Sequence, residues 1–312
     1  MTTLQFREDR TFKIVQFTDI HIQRRDAKDE QTCALIGQIV DVEQPDLVVF
    51  TGDVIEAHHC GDHQLESFQM AVQVVEERQV PWTVVFGNHD TEVNITREQL
   101  MEQAMKNSHC LAVPGPASIA GVGNYCLEVV NAQGVPAALL YHLDSGSVST
   151  VSHVDGYGWI DRSQIAWYEQ ESRAYTAKNG GTPLPALAFF HIPLQEYVTA
   201  WEQGNTVGDR FEPVCCPRIN TGLFAAMVEM GDVMGTFVGH DHTNDYIGEL
   251  HRIQLCYGRK TGYNSYSREG FLKGARVIQL EEGSRAFKTW MRLEDGSVIA
   301  QEATSEAQNT LG

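Results

Sequence analysis

Five segments of the chain share one design: an apolar run that ends in a short cluster of His, Asp or Asn. The first is Phe17-Thr18-Asp19-Ile20-His21, and the second is Gly52-Asp53, directly after the run DLVVFT. The third is Gly87-Asn88-His89-Asp90 after WTVVF, the fourth the single His191 after LAFF, and the fifth Gly239-His240-Asp241-His242 after MGTFV. In extended chain, side chains two apart point to the same face. That spacing lets Asp19 and His21 reach one ion, and gives His240 and His242 the same opportunity, with Asp241 directed away from them. The glycine ahead of Asp53 lets the backbone turn sharply and present the carboxylate. Carboxylate, amide and imidazole donors in mixture suit borderline-hard divalent ions such as Mn(II), Fe(II) or Zn(II), and the absence of thiolate argues against a structural zinc. One Asp-x-His is weak evidence, since such residues are usually plain turn residues. Five clusters in order, each behind a buried-strand pattern, are specific.

The apolar runs are the elements that must position these clusters. Phe12–Thr18, Asp46–Thr51 and Trp82–Phe86 read as strands, separated by helical periodicity over Lys28–Val42 and Gln64–Gln79. Strand, helix, strand, helix, strand at these lengths describes right-handed βαβ crossovers and a parallel sheet. Ligands of such sheets bind beyond the carboxyl ends of the strands, where all five clusters fall. Thr96–Asn107 reads as a third helix, with Thr96 and Gln99 placed as a capping box. Tyr125–Val130 and Ala137–Leu143 form a hairpin pattern, Asp161–Ala174 and Thr221–Met230 have helical character, and Ala186–Phe190, Val233–Val238 and Leu250–Tyr257 read as strands. Ala275–Leu280 and Phe287–Leu293 suit a closing hairpin. No repeat or linker divides the chain, so residues 1–300 are expected to form one domain, with 301–312 a frayed polar tail.

Composition narrows the partners. The chain carries 41 acidic against 23 basic residues, a formal net charge of −18. That field repels polyanions, so neither nucleic acid nor an anionic membrane is an expected partner, and most of the charge serves solubility. Seven cysteines without a CxxC spacing indicate free thiols rather than a disulfide framework or a zinc ribbon. The polar start Met1–Arg10 and the lack of a run of membrane-spanning length point to a soluble cytoplasmic protein.

The order DxH, GD, GNHD, lone strand-end His and GHxH resembles the calcineurin-like metallophosphoesterases over roughly residues 12 to 260. The resemblance implies an α/β fold in which a double β-sheet sandwich is flanked by helices, a four-layer αββα arrangement. It also implies two divalent metal ions. One would take Asp19, His21, Asp53 and His242, the other Asp53, Asn88, His191 and His240, with Asp53 bridging. His89 would hydrogen-bond the substrate phosphoryl group or protonate the leaving oxygen, Asn88 would also face the substrate, and Asp90 would orient His89. The chemistry agrees: two ions about 3.5–4 Å apart neutralise phosphoryl charge and lower the pKa of a bound water. The implied activity is hydrolysis of a phosphomonoester, on a phosphorylated small molecule or a phosphoprotein. A phosphodiester is the alternative of the same class, and a non-catalytic interaction scaffold the alternative of another. Scaffolds that have lost activity lose ligands, and here every ligand position is filled.

Other residues have both a functional and a plain reading. Arg24 and Arg25, just beyond His21, could clamp a phosphate bidentately or be surface charge. His58, His59 and His63 form a third metal site or, more simply, an exposed loop. Tyr157–Trp159 and Tyr263 wall the pocket or anchor loops. Cys215 and Cys216 are adjacent thiols that fit a loop better than a strained disulfide.

A narrower resemblance, carried by DLVVFTGD, FGNHD, GNYCLEV, LDSG, YGWI, LAFFHIPLQEY, GHDHTNDY and IQLCYG, is to the plant and fungal purple-acid-phosphatase-like branch of the Dcr type. Purple acid phosphatases themselves carry an iron(III)-ligating tyrosine three residues after the GD aspartate, where this chain has Glu56. Without that phenolate, a strong donor favouring the trivalent state is lost and divalent ions become the natural occupancy. Iron-loaded, aerobically purified protein is therefore expected to lack the intense tyrosinate band in its visible spectrum. A green-to-yellow band abolished by mutating one tyrosine would show this reading of Glu56 to be wrong.

Overall fold

Strands whose apolar side chains face both ways must be covered on both faces. The computed structural model of the protein, which describes residues 2–301, achieves this with two sheets packed face to face and helices outside. One sheet has six strands in the order Val298–Ala300, Phe287–Leu293, Gly274–Glu281, Thr11–Phe17, Leu47–Thr51, Trp82–Val85. Its last three strands are parallel and are linked by the helices Ala27–Glu43 and Gln64–Glu76. The other has eight, in the order Leu4–Gln5, Tyr125–Val130, Pro136–His142, Ala186–Phe189, Val233–Val238, Ile253–Tyr257, Ile247–Leu250, Thr206–Val207.

Alternation along the strands assigns side chains to layers. Phe12, Ile14, Leu47 and Val49 point into the middle layer, where they meet Leu187, Phe189 and Phe237 of the second sheet. Val15, Phe17, Val48 and Phe50 point the other way, onto Leu35, Ile36, Phe68 and Val72 of the two helices. On the far side, Tyr141 and Ala188 pack against Tyr168 of the helix Arg162–Lys178 and Phe224 of the helix Leu223–Met230. Three apolar clusters between four layers is the αββα arrangement implied by the sequence resemblance. The Thr96–Gln99 capping box is present at the helix Arg97–Ala104.

Two segments differ from expectation. Leu250–Tyr257 is not one strand. It begins in Ile247–Leu250 and returns in Ile253–Tyr257 across His251 and Arg252, which take φ of 50° and 67°. A tight hairpin of that kind normally advertises itself through Asn or Gly, and here neither is present. At the carboxyl end, Val298–Ala300 adds a sixth strand, and Gln301 is buried rather than frayed; the remainder of the expected tail lies outside the described residues. No helix among the described residues is long and apolar enough to cross a membrane. All seven cysteines are free, two of them buried.

Gln301 is buried because it completes the shell of Arg276. That guanidinium is fully buried and donates to the Tyr257 and Asp245 carbonyls at 2.6 and 2.9 Å, to Thr289 Oγ1 at 3.0 Å and to Gln301 Oε1 at 2.7 Å. Two of these acceptors belong to the second sheet and its return, so Arg276 ties the sheets together through the planar fork that only arginine offers. Arg276→Met is expected to lower unfolding free energy by about 3 kcal/mol, because several buried oxygens lose their donor at once. Arg276→Lys should recover little of it. Urea unfolding followed by tryptophan fluorescence measures both; a loss within about 0.5 kcal/mol of zero would show the tie to be dispensable.

Candidate metal centre

The first sheet delivers three of the clusters and the second sheet two. Asp19 and His21 follow the strand Thr11–Phe17, Asp53 follows Leu47–Thr51 and Asn88 follows Trp82–Val85. His191 follows Ala186–Phe189, and His240 and His242 follow Val233–Val238. These strand ends meet along the seam between the sheets, which hydrogen bonds close. The His240 amide donates to Asp19 Oδ1 at 3.0 Å, His191 Nδ1 to the Thr51 carbonyl at 2.8 Å and Gln16 Nε2 to the Val238 carbonyl at 3.0 Å.

Four of the candidate ligands leave their strands through left-handed backbone: Asp19 (φ 51°), His21 (φ 51°), Asp53 (φ 49°) and His240 (φ 79°). Asp19 and His21 thus converge because both bend off the strand end, not because the segment is extended. Such conformations cost a non-glycine residue about 1–3 kcal/mol each and persist only where surroundings enforce them. Asp90 is one enforcer. Its buried carboxylate accepts from the amides of Asp53 (2.9 Å), Gly87 (2.7 Å) and Ile55 (2.9 Å), locking two turns together. Burial, and next the charge of Asp53, push Asp90 up to about 6. The turns pack so tightly that a Cβ on Gly87 would lie 2.1 Å from Asp53 Oδ1, which excludes any other residue there.

Asp90 therefore does not orient His89, as the sequence had implied. His89 Nδ1 pairs with Glu92 Oε1 at 2.7 Å instead. His89–Thr91 is a 3₁₀ turn, in which residues three apart eclipse, so Glu92 lies beneath His89 while Asp90 turns inward. Burial opposes charge on His89, but the carboxylates of Asp53 and Glu92 outweigh it and raise its pKa. The imidazole is about one-third exposed, and its ring stands edge-on to His21 with centroids 5.2 Å apart.

Ligand atoms of Asp19, His21, Asp53 and His242 lie within 4.8 Å of one another, and those of Asp53, His191 and His240 form a second group; Asp53 belongs to both. These residues fit cations. A carbonyl can only accept, so His191 Nδ1 and His242 Nδ1, which face the Thr51 and Tyr266 carbonyls at 2.8 and 3.0 Å, carry protons, and in the neutral form each ring turns its Nε2 lone pair inward. The His242 Nε2 lone pair then lies 3.0 Å from His21 Nε2, and that of His191 lies 3.1 Å from Asp53 Oδ2. Lone pairs so close repel unless a proton or a cation sits between them. Asp53 Oδ2 and Asn88 Oδ1 are moreover buried without a hydrogen-bond partner. The electrostatics tell the same story in terms of protons. Burial pushes Asp19 up to about 6, while His191, despite a burial that opposes charge, is raised to about 9 by Asp53.

The remaining candidates separate. Arg24 and Arg25 line a cavity of about 620 Å³ with Gly61, Asp62, His63, Glu66 and Ser67, and none of the candidate ligands borders it. The phosphate-clamp reading of Arg24 is thus not supported by its position. His58, His59 and His63 are exposed and belong to neither ligand group. Glu56 accepts from Gln23 Nε2 at 2.7 Å, 3.9 Å from His21 Nδ1. The Tyr157 ring stands edge-on to His240, centroids 4.3 Å apart, and walls the site. Tyr263 instead bonds Glu294 and packs on the core. Asp241 faces away from the histidine pair, accepting from the Tyr257 hydroxyl at 2.5 Å. Sequence reading missed Glu92, although its spacing of three from His89 was visible. It also missed Lys260, whose buried ammonium donates to the Asp19 carbonyl at 3.2 Å, and Tyr266, whose contact with His242 is purely tertiary.

Residues 12–244 match the family model described as Calcineurin-like phosphoesterase. The chain is 35% identical to Probable inactive purple acid phosphatase 29 of Arabidopsis thaliana, across 94% of this chain and 85% of that protein. It is 32% identical to Phosphatase DCR2 of Saccharomyces cerevisiae, across 93% of this chain and 55% of that protein. A dimetal phosphatase from Danio rerio shares the fold, with a TM-score of 0.63 at 14% identity over 94% of this chain and 96% of that one.

Asp53 is the residue common to both groups, so Asp53→Asn is expected to remove at least one bound metal and nearly all turnover. Elemental analysis of metal-loaded protein is the check. Two metals retained with native turnover would end the shared-ligand assignment.

Proposed function

The chain belongs to the calcineurin-like phosphoesterase family, and on that premise we propose that it hydrolyses a phosphomonoester with two divalent ions, Mn, Fe or Zn, as its cofactors. The observation that carries this is the pair of buried ligand groups sharing Asp53, in which His242 Nε2 lies 3.0 Å from His21 Nε2 while Asp53 Oδ2 and Asn88 Oδ1 have no hydrogen-bond partner. Asp19, His21, Asp53 and His242 would hold one ion, and Asp53, Asn88, His191 and His240 the other. When bound, such ions neutralise phosphoryl charge and lower the pKa of water.

The protein's own groups supply the rest. The Thr51 and Tyr266 carbonyls hold the Nδ1 protons of His191 and His242, so that the inward Nε2 of each neutral ring would offer its lone pair to an ion. Asp90 and the His89 amide, which donates to Asp53 Oδ1 at 2.8 Å, hold Asp53 in place. With Glu92 anchoring Nδ1, His89 presents Nε2 at the edge of the site, where it donates a proton to the departing ester oxygen. The substrate is a phosphorylated small molecule or a phosphoprotein. The net charge of −18 disfavours nucleic acid.

A second reading, a metal-binding scaffold without turnover, draws support from the word "inactive" in the name of the Arabidopsis relative. Metal-reconstituted protein assayed with p-nitrophenyl phosphate and bis(p-nitrophenyl) phosphate side by side separates the readings. Turnover of the monoester is expected to dominate; two bound metals with neither ester hydrolysed would favour the scaffold.

His89→Ala should retain metal while turnover falls by about 10²–10⁴-fold, the usual worth of a positioned acid. An alkyl phosphate should suffer more than an aryl phosphate, whose leaving group needs no proton. Glu92→Ala should act in the same direction to a smaller extent and add little to His89→Ala, because the two residues work as one unit. Equal losses on both substrates would remove the acid role from His89.

A further inference from the structure

Tyr266 is an aromatic ring held rigid at the edge of the ligand cluster. It lies nearly parallel on the His242 imidazole, with ring centroids 4.0 Å apart and an interplanar angle of 19°. Its hydroxyl donates to Glu212 Oε2 at 2.7 Å, and its carbonyl accepts from His242 Nδ1 at 3.0 Å. Glu212 is itself fixed by the Thr243 amide at 2.6 Å and hydroxyl at 3.0 Å. The loop delivers the ring through Ser265 in left-handed backbone, φ 61°. With every tether in place, Tyr266 is still 52% exposed, so the face opposite His242 is open to solvent.

Holding His242 does not require a ring, because any residue offers the carbonyl. Core packing does not require one either, since a ring that served the core would be covered. Next to Glu212, Phe211 continues the aromatic rim. It is 44% exposed, stands edge-on to Phe271 at 5.8 Å and carries the Arg268 guanidinium 4.2 Å from its centroid.

We propose that the outer face of Tyr266 is the stacking platform for the leaving group, and that the substrate is a phosphoester whose leaving group carries a planar aromatic ring. This rests on the phosphoester reading above and names its substrate class. A phosphoryl group held at the ligand cluster would lie beside His242, and because Tyr266 stacks on that imidazole at 4.0 Å, a ring carried beyond the ester oxygen would be directed past the edge of Tyr266 toward its outer face. The platform is preorganised, so little side-chain freedom is lost when the ring docks.

Benzylphosphonate and cyclohexylmethylphosphonate carry the same anionic group on a planar or a puckered ring, and neither is hydrolysed. Their affinities for the Mn(II)-loaded full chain, measured by isothermal titration calorimetry beside inorganic phosphate, test the platform. The native protein is expected to bind the benzyl compound about 3–10-fold more tightly. Tyr266→Leu and Tyr266→Met should bring that ratio close to one, whereas Tyr266→Phe, which keeps the ring, should preserve most of it. Taking the ratio within each protein cancels any shared change in metal content. A native ratio near one overturns the platform and leaves the phosphoester reading standing, even where a variant does not fold. A preference that survives in both non-aromatic variants does the same. Binding of neither phosphonate nor phosphate overturns the phosphoester reading, and the platform with it.

Discussion

A carboxylate buried where two sheets meet has to be compensated, and the compensation of Asp53 organises this molecule. Its Oδ1 accepts from the His89 amide, and its Oδ2 faces His191 Nε2 at 3.1 Å and His21 Nε2 at 3.8 Å. Burial alone would raise its pKa, yet the surrounding imidazoles, His191 foremost, hold it well below the usual carboxylate range. The histidines come from both sheets. Neutralising one buried charge therefore requires the sheets to be in register at their carboxyl edges, and the tie through Arg276 keeps them so.

The strain at the seam follows from the same requirement. Strand ends aimed outward would splay the side chains, whereas left-handed backbone at Asp19, His21, Asp53 and His240 folds them back toward one point. The stability to hold those residues comes from the three apolar clusters and from inward-facing partners such as Asp90. The candidate ligands occupy positions that local preference would avoid, as expected where a rigid scaffold over-determines a few residues.

Chemistry and selectivity have separate origins in this arrangement. The ligand groups and His89 follow strand ends, and on the proposed reading they would recognise only what every phosphoester shares. The loops that rise around them carry Tyr157 against His240 and Tyr266 against His242, and on the proposed reading they would meet whatever is attached to the phosphoryl group. Loops can change without disturbing the layers beneath, which is consistent with a fold held in common with the Danio rerio dimetal phosphatase at only 14% identity.

The sequence by itself determined the donor types, their order and the strands that bear them, because buried strands are apolar on both faces and carboxylate, amide and imidazole donors are written directly in the residue types. It also determined the helices Ala27–Glu43 and Gln64–Glu76 nearly to their ends, through periodicity. Only the tertiary structure decided that Asp53 lies between ligands from two different sheets, since spacing along a chain says nothing of which sheet a strand joins. It alone showed the hairpin at His251 and Arg252, where non-glycine residues adopt left-handed backbone without a sequence signal. It likewise reassigned Asp90 and Glu92, because the rotation of a 3₁₀ turn, and not proximity in the chain, sets which carboxylate meets His89. The burial of Gln301 and the stacking of Tyr266 belong to the same class: each is satisfied by a partner more than twenty residues away, and contacts at that range form only once the layers have packed.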